Sequence, residues 1–116
     1  MSQPPHQGDV IWADPDPTRG SEQAKPRPLI VVSVDQLNQS PLGLSLVAPT
    51  TRTDFLNALH LEIKPPEGGL RETSFAMPEQ LRALSHERAS KRLGKVRPAT
   101  LAELLRRCRL LLRDPV

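Results

Sequence analysis

Residues 8–23 are GDVIWADPDPTRGSEQ, and this stretch decides how the chain begins to fold. Residues 8–14 contain β-branched and aromatic side chains, which are typical of a strand. Two prolines and a glycine follow, and they exclude regular structure because proline lacks an amide donor and glycine permits positive φ. The irregular segment continues to residue 28, which is long for a hairpin connection. Long loops in small domains are often functional, so residues 14–27 form the first candidate site.

Short apolar segments follow this loop and predict further strands. The continuous apolar run at residues 29–34 predicts a central, buried strand, and residues 44–49 predict the next one. Turns rich in proline, glycine and polar residues separate four more predicted strands, at residues 59–64, 73–77, 80–84 and 93–97. Residues 85–91 are polar and predict a helical turn. Five to seven short strands imply a small antiparallel barrel or a strongly curved sheet.

The hydrophobic period changes near the end of the chain. Apolar side chains recur there at the spacing of one helix face: Leu101, Leu104, Leu105, Cys108, Leu111 and Leu112. Pro98 suits a helix entrance, and Thr100 with Glu103 fits a capping box. The single cysteine lies within the apolar stripe, which indicates a buried structural thiol. We therefore expect an amphipathic C-terminal helix that packs against the sheet.

The length of 116 residues predicts one domain with its own core. We interpret residues 1–7 as a short disordered lead and residues 8–116 as a single domain. No apolar run is long enough to span a bilayer, and the first residues lack the features of a signal peptide, so a cytoplasmic location is the default. The three histidines and the single cysteine form no ligand motif, so we assign no metal and no other cofactor.

Charge is unevenly distributed along the chain. The formal net charge is +3, but residues 82–116 carry +7 and the preceding part carries −4. A basic half indicates a polyanionic or acidic partner, although a solvated arginine-rich helix face gives the same pattern. Only three aromatic residues are present, which argues against a stacking platform for RNA bases. Hydrogen bonds and arginines would then supply most of the contacts to a nucleic acid.

Four blocks of the sequence, in order, resemble the MazF/PemK toxin family. The first is the quoted stretch with Gly-Ser-Glu-Gln at residues 20–23, and the second is Arg-Pro at residues 27–28 followed by the apolar run. The third is Pro-Thr-Thr at residues 49–51, and the fourth is Glu-Gln-Leu-Arg at residues 79–82. The resemblance covers residues 8–112. Gly-Ser-Glu-Gln alone is a weak signal, whereas four blocks at compatible spacings are a strong one.

The resemblance implies a fold, an activity and partners. Members of this family are SH3-like barrels with a C-terminal helix, and they act as homodimers. They cut single-stranded RNA, mRNA in the cell, at short sequences without a metal ion, and this arrests growth. An antitoxin neutralises them by placing an acidic, flexible C-terminal segment in the RNA groove. One departure is that some PemK-like members have an Arg-x-Asp pair where this chain has Met-Pro-Glu at residues 77–79.

Metal-free RNA cleavage uses the ribose 2′-hydroxyl as nucleophile, and it needs a base, stabilisation of phosphate charge and an acid. By the resemblance, Arg27 holds the phosphate and Thr50 hydrogen-bonds to it, while Glu22 acts as a base or orients the arginine. Each has a structural alternative. Arg27 would cap a strand end, the Thr50 hydroxyl would bond to backbone, and Glu22 would order the loop by pairing with a nearby cation.

The remaining candidates are RNA-binding residues next to these groups. They are Ser21, Gln23, Thr51, Arg52, Gln80 and Arg82, of which the last two are alternatively dimer contacts. We place specificity in loops such as residues 51–57 and 65–71. Trp12 is interpreted as a core residue and His60 as an exposed strand residue.

Three functions remain open at this stage. The first is an endoribonuclease toxin that inhibits translation. The second is a non-enzymatic toxin that binds a protein target, because the gyrase-binding CcdB toxins share this architecture. The third is an RNA-binding module without catalysis. The combination of Gly-Ser-Glu-Gln with Arg27 and Thr50 favours the nuclease, since a gyrase-binding toxin does not require that set.

Overall fold

The computed structural model describes residues 1–15 and 25–115. Its seven strands are β1 (Asp9–Ala13), β2 (Arg27–Val31), β3 (Leu44–Thr51), β4 (Leu61–Ile63), β5 (Ser74–Ala76), β6 (Arg82–Ser85) and β7 (Ala89–Lys95). The α-helices are α1 (Asp35–Asn38) and α2 (Pro98–Leu110), and 3₁₀ turns occur at Glu67–Gly69, Pro78–Gln80 and His86–Arg88. The prediction of a mainly β domain with a C-terminal helix is confirmed.

All paired strands run antiparallel, in the order β4-β5-β3-β2-β1-β7, and β6 adds to β3. Strand β3 holds the sheet together because it has different neighbours along its length. Its first half pairs with β6, its middle with β2, and its last two residues, Thr50 and Thr51, with β5. This exchange of partners curves the sheet strongly. The described strands do not close into a complete ring, but the curvature is compatible with the expected SH3-like barrel.

Both faces of the central strands are buried, which explains the uninterrupted apolar run in β2. The face toward α2 belongs to a cluster that includes Val10, Ile30, Ala48, Leu104 and Cys108. The opposite face belongs to a second cluster that includes Ile11, Leu29, Val31, Val47 and Leu84. Burial also raises the pKa of the Cys108 thiol, in agreement with a structural rather than a reactive cysteine.

Within the first seven residues, which the sequence predicts to be a disordered lead, Pro5 and Gln7 are held against the domain, whereas residues 1–4 are exposed. Pro5 is buried, and its carbonyl oxygen accepts a hydrogen bond from Gln39 Nε2 at 2.8 Å. Gln7 Nε2 donates to the carbonyl oxygen of Val32, and the Gln7 backbone N–H donates to Asp35 Oδ1 at 2.8 Å. Polar composition favoured disorder, but these hydrogen bonds to α1 and to the chain after β2 hold the segment in place.

The predicted capping box at α2 is wrong. The helix begins at Pro98, so Thr100 already lies in the first turn and does not occupy the cap position. The Glu103 carboxylate instead forms ion pairs with Arg106 at 2.8 Å and Arg107 at 3.1 Å. Those hydrogen bonds lower the pKa of Glu103 to about 2.

Among the described residues, no helix has the length and apolar character needed to cross a membrane.

Candidate nucleic-acid interface

A groove of about 1030 Å³ opens where β2 begins and β3 ends. The antiparallel register pairs Leu29 with Pro49, so the first residues of β2 lie beside the last residues of β3. The groove is therefore lined by four of the residues predicted from the sequence: Arg27, Thr50, Thr51 and Arg52. Other parts of the lining come from Trp12 of β1, from the chain just before β2, from residues 69–72, and from Lys91, Arg92 and Leu93 of β7.

Direct backbone packing brings two parts of the groove lining together. Gly69 has a φ of +73°, and a Cβ atom there would overlap the carbonyl oxygen of Leu93. Gly94 also lacks room for a side chain, since its Cβ atom would lie 2.7 Å from the carbonyl carbon of Gly68. The glycines let the 3₁₀ turn at residues 67–69 lie directly on β7. Residues 69–72 are held next to β7 as a result.

The lining is strongly basic. It contains six cationic side chains and one carboxylate: Lys25, Arg27, Arg52, Arg71, Lys91, Arg92 and Glu72. Arg92 is partly neutralised because its Nε lies 2.8 Å from the buried Asp9 carboxylate, and Arg52 pairs with Glu72 at 2.5 Å. Within residues 1–15 and 25–115, no group of three or more His, Cys, Asp or Glu side chains is arranged to hold a metal ion. The groove suits a polyanion.

Arg27 is the first residue of β2 and is half-buried at the groove. Its Nε donates a long hydrogen bond, 3.4 Å, to the carbonyl oxygen of Lys25. No carboxylate of the described residues forms an ion pair with it. The planar guanidinium is therefore suited to grip two oxygens of a phosphate.

Thr50 lies at the base of the same groove and is only 1% exposed. Its hydroxyl donates a hydrogen bond of 2.8 Å to the carbonyl oxygen of Pro28 on β2. A hydroxyl has one proton, so in this conformation Oγ1 can only accept from other groups. The sequence left open whether this hydroxyl serves backbone or phosphate, and here it serves the backbone of the neighbouring strand.

Several sequence-predicted residues are not brought into this groove. Ser21, Glu22 and Gln23 lie outside the described residues. Gln80 is exposed on the 3₁₀ turn before β6, and Arg82 begins β6 opposite Val47, so neither lines the groove. Of the six predicted RNA-binding residues, Thr51 and Arg52 are the two that lie beside Arg27.

His60 is not the exposed strand residue that the sequence predicts. Its side chain is only 5% exposed, and Nε2 lies 2.6 Å from Glu79 Oε2. Arg107 of α2 donates hydrogen bonds to the carbonyl oxygens of residues 58–60. The alternating pattern predicted a strand from residue 59, but β4 begins only at Leu61. His60 belongs to the preceding segment, which is hydrogen-bonded to Arg107 of α2 and to Glu79.

Sequence reasoning missed part of the groove lining. Trp12 was assigned to the core, yet it is half-buried and lines the groove. Lys91 was assigned to a helical turn, but β7 already begins at Ala89. The register between β1 and β7 shifts at two points, which indicates bulges or irregularities. Bulges redirect side chains, so simple alternation gives no signal for which of these residues enter the groove.

The sequence and the fold have counterparts among known proteins. Residues 6–112 match the family model described as PemK-like, MazF-like toxin of type II toxin–antitoxin system. The chain is similar to endoribonuclease MazF9 of Mycobacterium tuberculosis, with 31% identity over 102 residues that cover 84% of this chain and 86% of that protein. It is 49% identical over 47 residues to the endoribonuclease toxin MazF of Escherichia coli K12, covering 40% of this chain and 41% of that protein.

Solved structures agree in fold. The crystal structure of MazF from Deinococcus radiodurans superposes with a TM-score of 0.80 at 23% identity, covering 96% of this chain and 98% of that one. An endoribonuclease in complex with its cognate antitoxin, from a mycobacterial species, superposes with a TM-score of 0.75 at 20% identity, covering 100% and 99%. These similarities confirm the expected architecture over nearly the whole chain.

Proposed function

Because this chain belongs to the PemK-like, MazF-like family of toxins of type II toxin–antitoxin systems, we propose that it is a sequence-specific endoribonuclease. It cleaves single-stranded RNA, mRNA in the cell, without a metal ion, and so inhibits translation and growth. One observation carries the proposal: Arg27 lies in a groove whose lining holds six cations and one carboxylate. Such a groove attracts a phosphate backbone and places a guanidinium beside it.

The proposed reaction is an internal transfer within the RNA. The 2′-hydroxyl loses its proton and attacks the adjacent phosphorus, and the bond from phosphorus to the 5′-oxygen breaks. The leaving oxygen then takes a proton. Arg27 binds the non-bridging oxygens, where negative charge develops, and preorganised charge of this kind is often the largest contribution to catalysis.

Two other residues assist Arg27 in this proposal. Glu22 accepts the proton of the 2′-hydroxyl or orients the guanidinium. Thr50 hydrogen-bonds the same phosphate, which requires its hydroxyl to turn away from the carbonyl oxygen of Pro28. Arginine itself is a poor base at neutral pH, because its guanidinium group stays protonated.

RNA binding extends on both sides of Arg27. We assign Thr51 and Arg52 to the backbone or bases beside the scissile phosphate, since both line the groove. Ser21 and Gln23 flank Glu22 in the sequence and are proposed to contact the RNA. Gln80 and Arg82 are proposed to contact RNA beyond this groove.

The decisive experiment is incubation of the purified protein with mixed-sequence RNA in EDTA, followed by mapping of the cut ends. We expect defined cleavage sites for the wild type and a loss of at least about 100-fold for Arg27→Ala, as for removal of one oxyanion-stabilising donor. Arg27→Lys keeps the charge without the planar fork and should retain partial activity. Arg109→Ala, an exposed position on α2 outside the groove, is the matched control. Uncut RNA, or equal cleavage by Arg27→Ala, would contradict the proposal.

The partners follow from family and charge. An antitoxin is the protein partner, as in the solved mycobacterial complex and in the MazE–MazF complex of Deinococcus radiodurans. We propose that its acidic C-terminal segment occupies the basic groove and competes with RNA.

We also propose a homodimer, supported by the exposed apolar side chains of Leu110, Leu111 and Leu112 at the end of α2. Light scattering at several protein concentrations tests the dimer.

The alternative of a CcdB-like toxin that binds a protein target receives no support from the MazF relatives of Mycobacterium tuberculosis and Escherichia coli, which are named as endoribonucleases.

A further inference from the structure

Glu72 is the only carboxylate among the described side chains that line the groove. A negative charge here opposes the binding of RNA phosphates, so its position needs a reason. Its Oε2 lies 2.5 Å from Arg52 Nη1, and both side chains are largely exposed, Arg52 to 75% and Glu72 to 60%. Exposed ion pairs contribute little to stability, so the pair is not explained by a need to hold the fold together.

The pair offers a recognition surface for a base. In single-stranded RNA the Watson–Crick and Hoogsteen edges of unstacked bases are free to be read. Glu72 supplies acceptors only, and its Oε1 accepts no hydrogen bond from the described residues, while Arg52 supplies a fork of donors. Acceptors and donors therefore lie side by side on one groove lining.

Guanine is the base that matches this arrangement. It presents two adjacent N–H donors, N1–H and the 2-amino group, which fit the two oxygens of one carboxylate. Its O6 and N7 acceptors, on the neighbouring edge, are the usual partners of an arginine fork. Adenine and cytosine present one donor group to a carboxylate, their amino group, and uracil presents one, N3–H, so none of them offers two adjacent donor groups.

We propose that Glu72, together with Arg52, reads a guanine in the RNA and is a specificity-determining residue of the ribonuclease. The inference rests on the proposed function. Arg52 follows Thr50 by two residues, and two residues of extended chain span about 7 Å. The guanine therefore lies within about one or two nucleotides of the scissile phosphate. Arg52 belongs to the first specificity loop expected from the sequence, residues 51–57, and Glu72 directly follows the second, residues 65–71.

Cleavage of a randomised RNA library, with sequencing of the cut ends, tests the proposal. The wild type should prefer guanine at one position near the cut. Glu72→Gln should lower that preference about 5- to 150-fold, the range for one bidentate base contact, and favour adenine instead. Glu72→Asp keeps the charge but shortens the reach, so it should also lose guanine preference. Glu62→Gln, an exposed position outside the groove, should behave as wild type.

The outcomes separate reading from simple charge neutralisation. If Glu72 only neutralises Arg52, Glu72→Gln will change cleavage uniformly across sequences and Glu72→Asp will change nothing, and either result overturns the proposal. A wild-type cleavage site without guanine overturns the proposal too.

Binding of 2′-O-methylated RNA provides a readout that needs no cleavage. Replacing the guanine by inosine, which lacks the 2-amino group, should weaken binding by the wild type but not by Glu72→Gln. A wild type that binds with this discrimination but never cuts would refute the proposed function alone.

Discussion

The Thr50 hydroxyl shows how one side chain can serve both fold and site. Its hydrogen bond to the carbonyl oxygen of Pro28 ties the end of β3 to the beginning of β2, where Arg27 lies. The only hydroxyl proton is used in that bond. A role at the phosphate therefore requires the hydroxyl to rotate, and removing the hydroxyl should affect stability and cleavage separately.

Replacing Thr50 by valine, which has the same shape without the hydroxyl, tests both roles. The carbonyl oxygen of Pro28 loses its partner, so the free energy of unfolding should fall by about 1–3 kcal/mol. Cleavage at saturating RNA, at a temperature where the variant is folded, should fall at least about tenfold. Urea denaturation and single-turnover cleavage measure the two effects, and Thr50→Ser should retain both. A folded Thr50→Val protein that cuts RNA at the wild-type rate would assign Thr50 to structure alone.

At the scale of elements, the 3₁₀ turn at Glu67–Gly69 contributes to the lining because it packs backbone to backbone on β7. Gly69 has a φ of +73° and no room for a Cβ beside Leu93, whereas Gly43 has a φ of +67° with nothing within 4 Å of its Cβ position. Comparing alanine substitutions at the two positions therefore distinguishes the cost of a positive φ from the cost of steric overlap. Strain alone costs about 1–2 kcal/mol.

We expect Gly43→Ala to lower the free energy of unfolding by about 1–2 kcal/mol, the cost of strain alone, and to leave RNA binding unchanged. Gly69→Ala should lower it by more, because the added atom overlaps the carbonyl oxygen of Leu93 and displaces residues 69–72 from β7. Its affinity for 2′-O-methylated RNA should fall as well. Chemical denaturation and fluorescence titration provide the measurements. Equal effects of the two substitutions would show that packing against β7 does not shape the groove.

Helix α2 also acts at this scale, because Arg107 fastens the segment between β3 and β4. The guanidinium donates to the carbonyl oxygens of residues 58–60 and to Glu103, and its side chain is largely buried. Arg107→Ala should reduce the free energy of unfolding by about 1.5–3 kcal/mol, the range for hydrogen bonds to a charged group. Arg106→Ala removes a Glu103 partner without touching that segment and should have a smaller effect. Hydrogen exchange of residues 52–60 should accelerate in Arg107→Ala only, and unchanged exchange there would contradict this role.

The elements themselves were largely predictable, and the reason is periodicity. The apolar run of β2 and the helical stripe of α2 each fix a type of element, and both elements appear in the structure near the predicted positions. The end of the stripe was predicted wrongly, because α2 ends at Leu110 and the side chains of Leu111 and Leu112 are exposed. Element ends were less predictable: α2 begins at Pro98 without the capping box, and β7 begins at Ala89 rather than near Leu93. End positions depend on tertiary partners, such as the pairing of β7 with β1, that a local pattern does not contain.

At the scale of the whole molecule, the site was predictable in part. The family motifs identified Arg27, Thr50 and Thr51, Arg52 was a candidate as their neighbour in the sequence, and the curved sheet brings these four together. Lys91 and Trp12 were missed because they enter the groove through irregular β1–β7 pairing. Arg71 belongs to a loop that the sequence assigned to specificity, but its place in this groove depends on the glycine contacts at Gly69. The net charge along the sequence placed the basic part of the chain at residues 82–116. The cations that line the groove come from both this part and the part before it.

That distribution of charge predicts how RNA binding depends on salt. Four lining cations form no ion pair with the described residues: Lys25, Arg27, Arg71 and Lys91. Each phosphate neutralised on a single strand contributes about −0.7 to the slope of log affinity against log salt, so the slope should lie between about −2 and −3. Lys91→Ala should reduce its magnitude by about 0.7 and weaken binding to all sequences alike, whereas Arg109→Ala, outside the groove, should leave it unchanged. Titrations of 2′-O-methylated RNA at several salt concentrations measure the slope. If Lys91→Ala leaves the slope at its wild-type value, RNA does not follow the β7 side of the groove, and the path of the backbone must be sought on another face.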